Sequence, residues 1–268
     1  TDLKDFSRKA QIVNYDSHRA MMEAWNSKMW NSTSGLLLWM SHPAWPSMVW
    51  QIYSWDYETF GSFYGCRKAC EPIHIQKNLD DQKVVVVNTS LKEIKGAKVI
   101  YEVYSLGGKP LFKRTSRLNV LANGLTECFV QDKPVAVSGV YMERLILQDK
   151  RGKVISINDY WQDNGEGNFQ GFNALEEASI NCKLIRQKES QIQIELQNTG
   201  AMPALALKLN VREADTDKRI LPAYASDDYF NLLPGEKRTV TVEYVSRGKV
   251  AISAEGYNLK CSRLLTLK

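Results

Sequence analysis

The residues with the most chemical potential lie in one short stretch, Ser34 to Asp56, "SGLLLWMSHPAWPSMVWQIYSWD". It holds Trp39, Trp45, Trp50 and Trp55 around a His-Pro and a Trp-Pro, and Trp25 and Trp30 precede it, so six of the seven tryptophans fall within the first 55 residues. Prolines at 43 and 46 prevent any regular element from running far here. Rings crowded at the end of an apolar run suggest a pocket wall for a flat-faced ligand, and sugars are the commonest such ligand. The carboxylates at hand are Asp56 and Glu58 in "WDYET". Their i, i+2 spacing points them apart in a strand and does not stack them on a helix. Asp56 more simply caps or precedes the helix that follows.

Other reactive side chains form no obvious centre. Cys66, Cys70, Cys128, Cys182 and Cys261 are scattered and odd in number. Cys66 and Cys70 share one face of a short helix, but a metal would need two further ligands and only His74 is near in sequence. Free thiols are therefore expected, with no metal and no cofactor, and a disulfide-framed secreted fold is disfavoured. His18 and His74 read as structural or solvent-facing. "EADTDKRI" reads as a charged hairpin turn, and "DNGEGN" lacks the spacing of a calcium loop. Asn31 and Asn88 stand in glycosylation sequons, which matter only in a eukaryotic secretory setting.

The elements that must position these residues fall into three segments. In residues 1–75, Asp2 can cap a helix with Asp5 in its first turn. Phe6, Ala10, Val13, Met21, Trp25 and Met29 follow at near-helical spacing, a stripe expected to face something apolar. "NSTSG" ends that helix, and "LLLWM" has the unbroken apolar character of a strand buried on both faces. "ETFGSFYGCRKAC" reads as a second helix stopped by Pro72. From about Ile73 the pattern changes to short strands, including "KVVVVN", "AKVIYEVYS" and "VYMERLILQDKRGKVISIND", broken by Gly-Gly, Asn-Gly and Arg-Gly turns. A Gly/Asn-rich linker at 163–173 precedes a second strand set that includes "QIQIELQNTG" and "KRTVTVEYVS". Each set is about the size of an immunoglobulin-like sandwich. The fold class is therefore mostly β: two such sandwiches (76–165 and 166–268) preceded by an α/β segment too short to close a sheet or barrel.

Composition narrows the function. With 44% hydrophobic residues the 268-residue chain can bury a core, and its net charge of +5 is spread over mixed-sign segments, which disfavours nucleic-acid binding. No apolar run approaches the ~20 residues that span a bilayer, and no signal peptide is legible.

"DFSRKAQIVNYDSHRAMMEAWNSKMW", "GLLLWMSHPAWPSMVWQIYSWD" and "FGSFYGCRKACEPIHIQ" resemble the end of the catalytic barrel of glycoside hydrolase family 2, in the branch of exo-β-glucosaminidases and endo-β-mannosidases. "ILPAYASDDYFNLLPGEKRTVTV" resembles the last immunoglobulin-like domain of that branch. The resemblance implies that 1–33 is the seventh barrel helix, 35–40 the eighth strand and 59–71 the eighth helix. Ser41, His42, Trp45 and Trp50 would then line a sugar pocket at the C-terminal rim of the barrel. It further implies retaining hydrolysis of a β-mannoside or β-glucosaminide by two carboxyls about 5–5.5 Å apart. In the family these lie on the fourth and seventh strands, and no position here matches them. The expectation is an inert C-terminal region of a periplasmic or secreted glycosidase, acting on a glycoside or oligosaccharide. Its residues 1–60, lacking barrel neighbours, would associate with a second copy. The alternatives are a non-catalytic carbohydrate-binding protein, using Tyr160-Trp161 or Tyr229-Phe230, and a structural tandem of immunoglobulin-like domains.

Overall fold

The structure is a computed structural model describing residues 2–47, 51–131, 137–163, 165, 167–245 and 248–267, without the side chain of Cys261. The chain divides into two compact units, Thr1–Ser17, Leu38–Gly65 and Leu175–Lys268 in one, His18–Leu37 and Cys66–Ala174 in the other. Among the described residues no helix is long and apolar enough to cross a membrane.

The second unit is built on β1 (Ile73–Lys77), β2 (Lys83–Asn88), β3 (Ile94–Ser105), β4 (Pro110–Val120), β5 (Gly124–Val130), β6 (Tyr141–Gln148) and β7 (Val154–Gln162). Two antiparallel sheets, β1-β2-β5 and β4-β3-β6-β7, enclose one core of Ile75, Val84, Val86, Val99, Tyr101 and Leu145 among others. Four successive buried valines, Val84 to Val87, suit β2 to the centre of its sheet. The turns expected at Gly-Gly and Arg-Gly are present, with Gly108 and Gly152 in the left-handed region that a side chain would disfavour. A short 3₁₀ turn, Gln170–Ala174, closes the unit within the expected linker.

The other unit carries β8 (Ile180–Lys188), β9 (Gln191–Asn198), β10 (Ala204–Glu213), β11 (Ala223–Ala225), β12 (Phe230–Leu232), β13 (Lys237–Tyr244), β14 (Val250–Gly256) and β15 (Leu259–Leu267). They pair as β11-β13-β9-β8 and β12-β10-β14-β15. Strand β9 shows how the sequence writes this fold. Ile192, Ile194 and Leu196 are fully buried and alternate with glutamine and glutamate on the outer face. "EADTDKRI" is the expected hairpin turn, with the Glu213 amide bonded to the Lys218 carbonyl at 2.8 Å.

Helix α1 (Leu3–Asn26) starts as its sequence dictates, the Asp5 amide donating to the Asp2 carboxylate at 2.8 Å while Asp5 pairs with Arg8 and Lys9. Its buried face departs from the periodicity. Phe6, Val13 and Trp25 are exposed, and the buried residues are Arg19, Met22 and Glu23. Arg19 and Glu23 are buried because the surface that receives the last turns of α1 is polar, as described below. Residues 35–40 likewise form no strand, and Leu37 is 97% and Trp39 83% exposed. A doubly buried strand needs a ladder partner on each side, and none of the described strands pairs with this segment. Packing of Trp25, Trp30 and Trp39 between barrel helices and strands is expected from the resemblance, and here they are 43%, 52% and 83% exposed. Helix α2 (Gly61–Ala69) lies where the second helix was expected.

Candidate functional site

The aromatic loop is held in shape by its own backbone. The Ser41 carbonyl accepts hydrogen bonds from the Ile52 and Tyr53 amides at 3.1 and 3.2 Å, which closes the segment into a bend. A tight turn follows: the Tyr57 amide donates to the Ser54 carbonyl at 3.0 Å and the Glu58 amide to the Ser54 hydroxyl at 2.9 Å, with Tyr57 in the left-handed region. The His42 ring stacks on Tyr57 at 4.6 Å with the planes 15° apart, above a buried Pro43. The buried Nε2 of His42 has no hydrogen-bond partner. Trp45 presents an indole that is 69% exposed, and Ser41 is exposed beside it. Three of the four expected pocket residues therefore sit in one bend, which presents the open face of the Trp45 indole while the Nε2 of His42 is enclosed. Trp50 lies outside the described residues.

Below the loop its two carboxylates act as anchors. Asp56 meets the Ser54 hydroxyl and lies 3.3 Å from Arg219, while Glu58 is paired with both Lys208 and Arg219. Sharing Arg219, the pair is committed to cations of the sandwich and does not face across an open cleft as a retaining acid and nucleophile must. Helix α2 adds a third attachment. Tyr64 is 2% exposed, and its hydroxyl accepts from the Ala225 amide at 3.3 Å and donates to the Ala225 carbonyl at 3.4 Å. Asp228, buried nearby, accepts from the Leu209 amide at 2.8 Å, and desolvation pushes its carboxyl well above the usual range.

One polar cluster escaped the reading of the sequence, in the second unit. His74 is completely buried, with Nε2 2.9 Å from Glu23 and Nδ1 3.2 Å from Glu71. The Asn158 amide (2.7 Å) and the Tyr160 hydroxyl (3.0 Å) also donate to Glu23, and the Ser156 hydroxyl donates to Glu71 at 2.7 Å. Arg19 donates to the Asn158 side-chain oxygen at 3.0 Å and lies over the Tyr160 ring. Burial pulls the His74 pKa down, but the bonds to the two carboxylates outweigh it and leave it raised. Burial pushes Glu71 up, and His74 with Lys68 overcomes that, holding it down to about 2. Next to this cluster Lys77 is paired with the buried Glu143 at 2.8 Å, and Glu143 accepts from Tyr101 at 2.9 Å. Buried at His74, Glu23, Asn158 and Tyr160 and open only at Glu71, the cluster is an attachment of the last turns of α1 to β1 and β7. The only signal for it in the sequence is that Glu23 falls on the helix face carrying Arg19, beside "EPIHIQ".

Among the described residues no group of three or more His, Cys, Asp or Glu is placed to hold a metal. Cys66, Cys70, Cys128 and Cys182 are free thiols, with burial raising Cys66 and Cys182 to about 11 and Cys128 to about 12. Asn31 is exposed, whereas Asn88 is fully buried and bonds the Lys92 and Leu121 carbonyls, so its sequon is closed to modification in the folded chain. The aromatic pairs considered for sugar binding are also mostly core: Tyr160, Tyr229 and Phe230 are buried, and Trp161 packs edge-on against Phe172 at 5.1 Å.

Comparison with known proteins agrees with this architecture. A family described as the exo-beta-D-glucosaminidase Ig-fold domain matches residues 158–259. Exo-beta-D-glucosaminidases of Arthroderma benhamiae and Amycolatopsis orientalis are 27% and 28% identical over 96% of the chain, which covers 32% and 28% of their own lengths. The mannosylglycoprotein endo-beta-mannosidase of Lilium longiflorum is 27% identical over 96% of the chain and 34% of its own length. The crystal structure of the Amycolatopsis orientalis exo-chitosanase superimposes with a TM-score of 0.88 at 27% identity, over 98% of this chain and 35% of that one. A beta-D-mannosidase from Dictyoglomus thermophilum, 19% identical, shares the fold with a TM-score of 0.75. The chain thus spans about a third of the length of the relatives it matches. Over nearly all of its own length the chain is similar to the C-terminal part of glycoside hydrolase family 2 enzymes of the exo-β-glucosaminidase and endo-β-mannosidase branch.

Proposed function

We propose that the chain is the C-terminal region of a retaining β-glycosidase acting on a β-mannoside or β-glucosaminide. Residues 1–75 are the last unit of a catalytic barrel, and 76–165 and 166–268 are immunoglobulin-like sandwiches that brace it. The observation carrying this reading is the similarity to exo-β-glucosaminidases along 96% of the chain, together with the exposed bend of Ser41, His42 and Trp45. In the whole enzyme Trp45 stacks on a pyranose face, His42 meets a hydroxyl, and Trp50 extends the same wall. The two catalytic carboxylates belong to the part of the relatives that this chain does not span, so the chain alone is inert. Asp56 and Glu58 hold the loop on the sandwich through Lys208 and Arg219.

The test is hydrolysis of a panel of aryl β-glycosides, including mannoside and glucosaminide, by the purified 268-residue chain. No turnover above the uncatalysed rate is expected. Turnover abolished by Asp56→Asn or Glu58→Gln overturns the reading, because the chemistry would then reside in these residues. A binding module working through the sandwiches is less well supported, since Tyr160, Tyr229 and Phe230 are buried. Glycan binding that survives removal of residues 1–75 would favour it.

A further inference from the structure

A cleft of about 720 Å³ lies between the first turns of α1 and strands β10 and β14, within the unit formed by Thr1–Ser17, Leu38–Gly65 and Leu175–Lys268. Its size is in the range of small-molecule sites, roughly 300–1,000 Å³. Four cationic side chains line it, Lys4 and Arg8 from α1 and Lys208 and Arg212 from β10, against two carboxylates, Asp217 and Glu255. Lys4, Arg8 and Gln11 recur at i, i+4 and i+7, so one face of the helix presents them together.

The carboxylates are already engaged. Asp217 lies 3.3 Å from Arg212 and 3.5 Å from Arg263, and Glu255 accepts from Asn210 at 2.9 Å. The guanidiniums are only partly satisfied. Arg8 bonds Asp5 at 2.6 Å through Nη2 and lies over the Tyr257 ring, and Arg212 bonds the Asp217 carbonyl at 2.9 Å through Nη1. In both, the Nε–H is buried and has no acceptor. Buried donors without partners are uncommon in folded proteins, and two of them on arginines lining one cationic cleft point to a missing acceptor. We propose that this cleft binds a small ligand through an oxyanion, a sulfate, phosphate or carboxylate group, received by the Nε–H groups of Arg8 and Arg212 with Lys4 supplying further charge, while Lys208 stays paired with Glu58. This site is separate from the aromatic bend and of opposite sign to the one an amino sugar would need.

The experiment follows the arginine Nε–H resonances of the 268-residue chain by ¹H–¹⁵N NMR. It titrates in sodium sulfate, inorganic phosphate or sodium glucuronate at constant ionic strength set with sodium chloride. Saturable shifts of the Arg8 and Arg212 signals are expected, and the anion with the lowest Kd identifies the source of the oxyanion. Arg212→Gln should raise that Kd about tenfold or more, the loss of one charge-assisted bond. Should Arg212→Gln fail to fold, Lys4→Gln, an exposed residue in the first turn, decides, with an expected rise of about two- to fivefold. Shifts that do not saturate with any of the three anions overturn the proposal. So do a Kd unchanged in the folded variants, or saturable shifts with glucosamine hydrochloride in place of the anions.

Discussion

His74 shows how much of this protein's stability hangs on single side chains. It is buried between Glu23 and Glu71 with its pKa raised, so its contribution is fully present below the unfolded value near 6.5 and is lost as pH rises through the folded value. Glu71 acts on the other side: held down to about 2, it contributes above about 4.5, and that contribution drains away as pH falls toward 2. Stability should therefore peak between these limits. His74→Gln should cost about 3–5 kcal/mol, because Glu23 is left buried without its cation. Urea denaturation of wild type and variant across pH 3–10 checks both statements. An unchanged alkaline limb in the variant would show that another group sets it. Trp45→Ala should shift stability by less than about 0.5 kcal/mol, since the indole is mostly in solvent, and a thermal melt reads this directly.

At the scale of elements, α1 and α2 meet closely where Gly61 approaches α1. A Cβ on Gly61 would stand 2.1 Å from the Gln11 carbonyl oxygen, and the Gly61 amide donates to the Gln11 side chain at 2.9 Å. Backbone cannot yield as a flexible side chain can, so Gly61→Ala should destabilise by about 1–3 kcal/mol. Chemical denaturation with an Ala→Gly or surface control on α2 measures it, and a neutral result would mean the helices separate at no cost. Strands such as β9 and β13 were legible because period-2 alternation is a property of the strand itself. The buried face of α1 was not, because Arg19 and Glu23 are buried only through partners more than fifty residues away, Asn158 and His74.

At the scale of the molecule, the aromatic N-terminal region exposes several large apolar side chains. Phe6, Val13, Leu37, Trp39 and Trp45 are each more than 60% exposed. In the proposed enzyme the rest of the barrel covers them. Alone in solution, the chain should self-associate through residues 1–60, and multi-angle light scattering should show a mass above one copy of 30.5 kDa. Leu37→Lys with Trp39→Lys should return it toward the monomer. A monomer at all concentrations would count against this.

By itself the sequence determined what depends on local periodicity and on recognisable short motifs: the two sets of strands, the Asp2 cap of α1, the hairpin turns and the likeness to glycoside hydrolase family 2. Tertiary structure alone decided which carboxylates are spent as anchors, which sequon is buried and which histidine is enclosed. Asp56 and Glu58 read the same in the sequence whether they face a sugar or Arg219, and Asn88 reads as a sequon until its amide bonds the Lys92 carbonyl and the distant Leu121 carbonyl. Such roles are set by partners brought together from remote parts of the chain, and the energy of a polar group depends on those partners and on its burial, neither of which a local pattern carries.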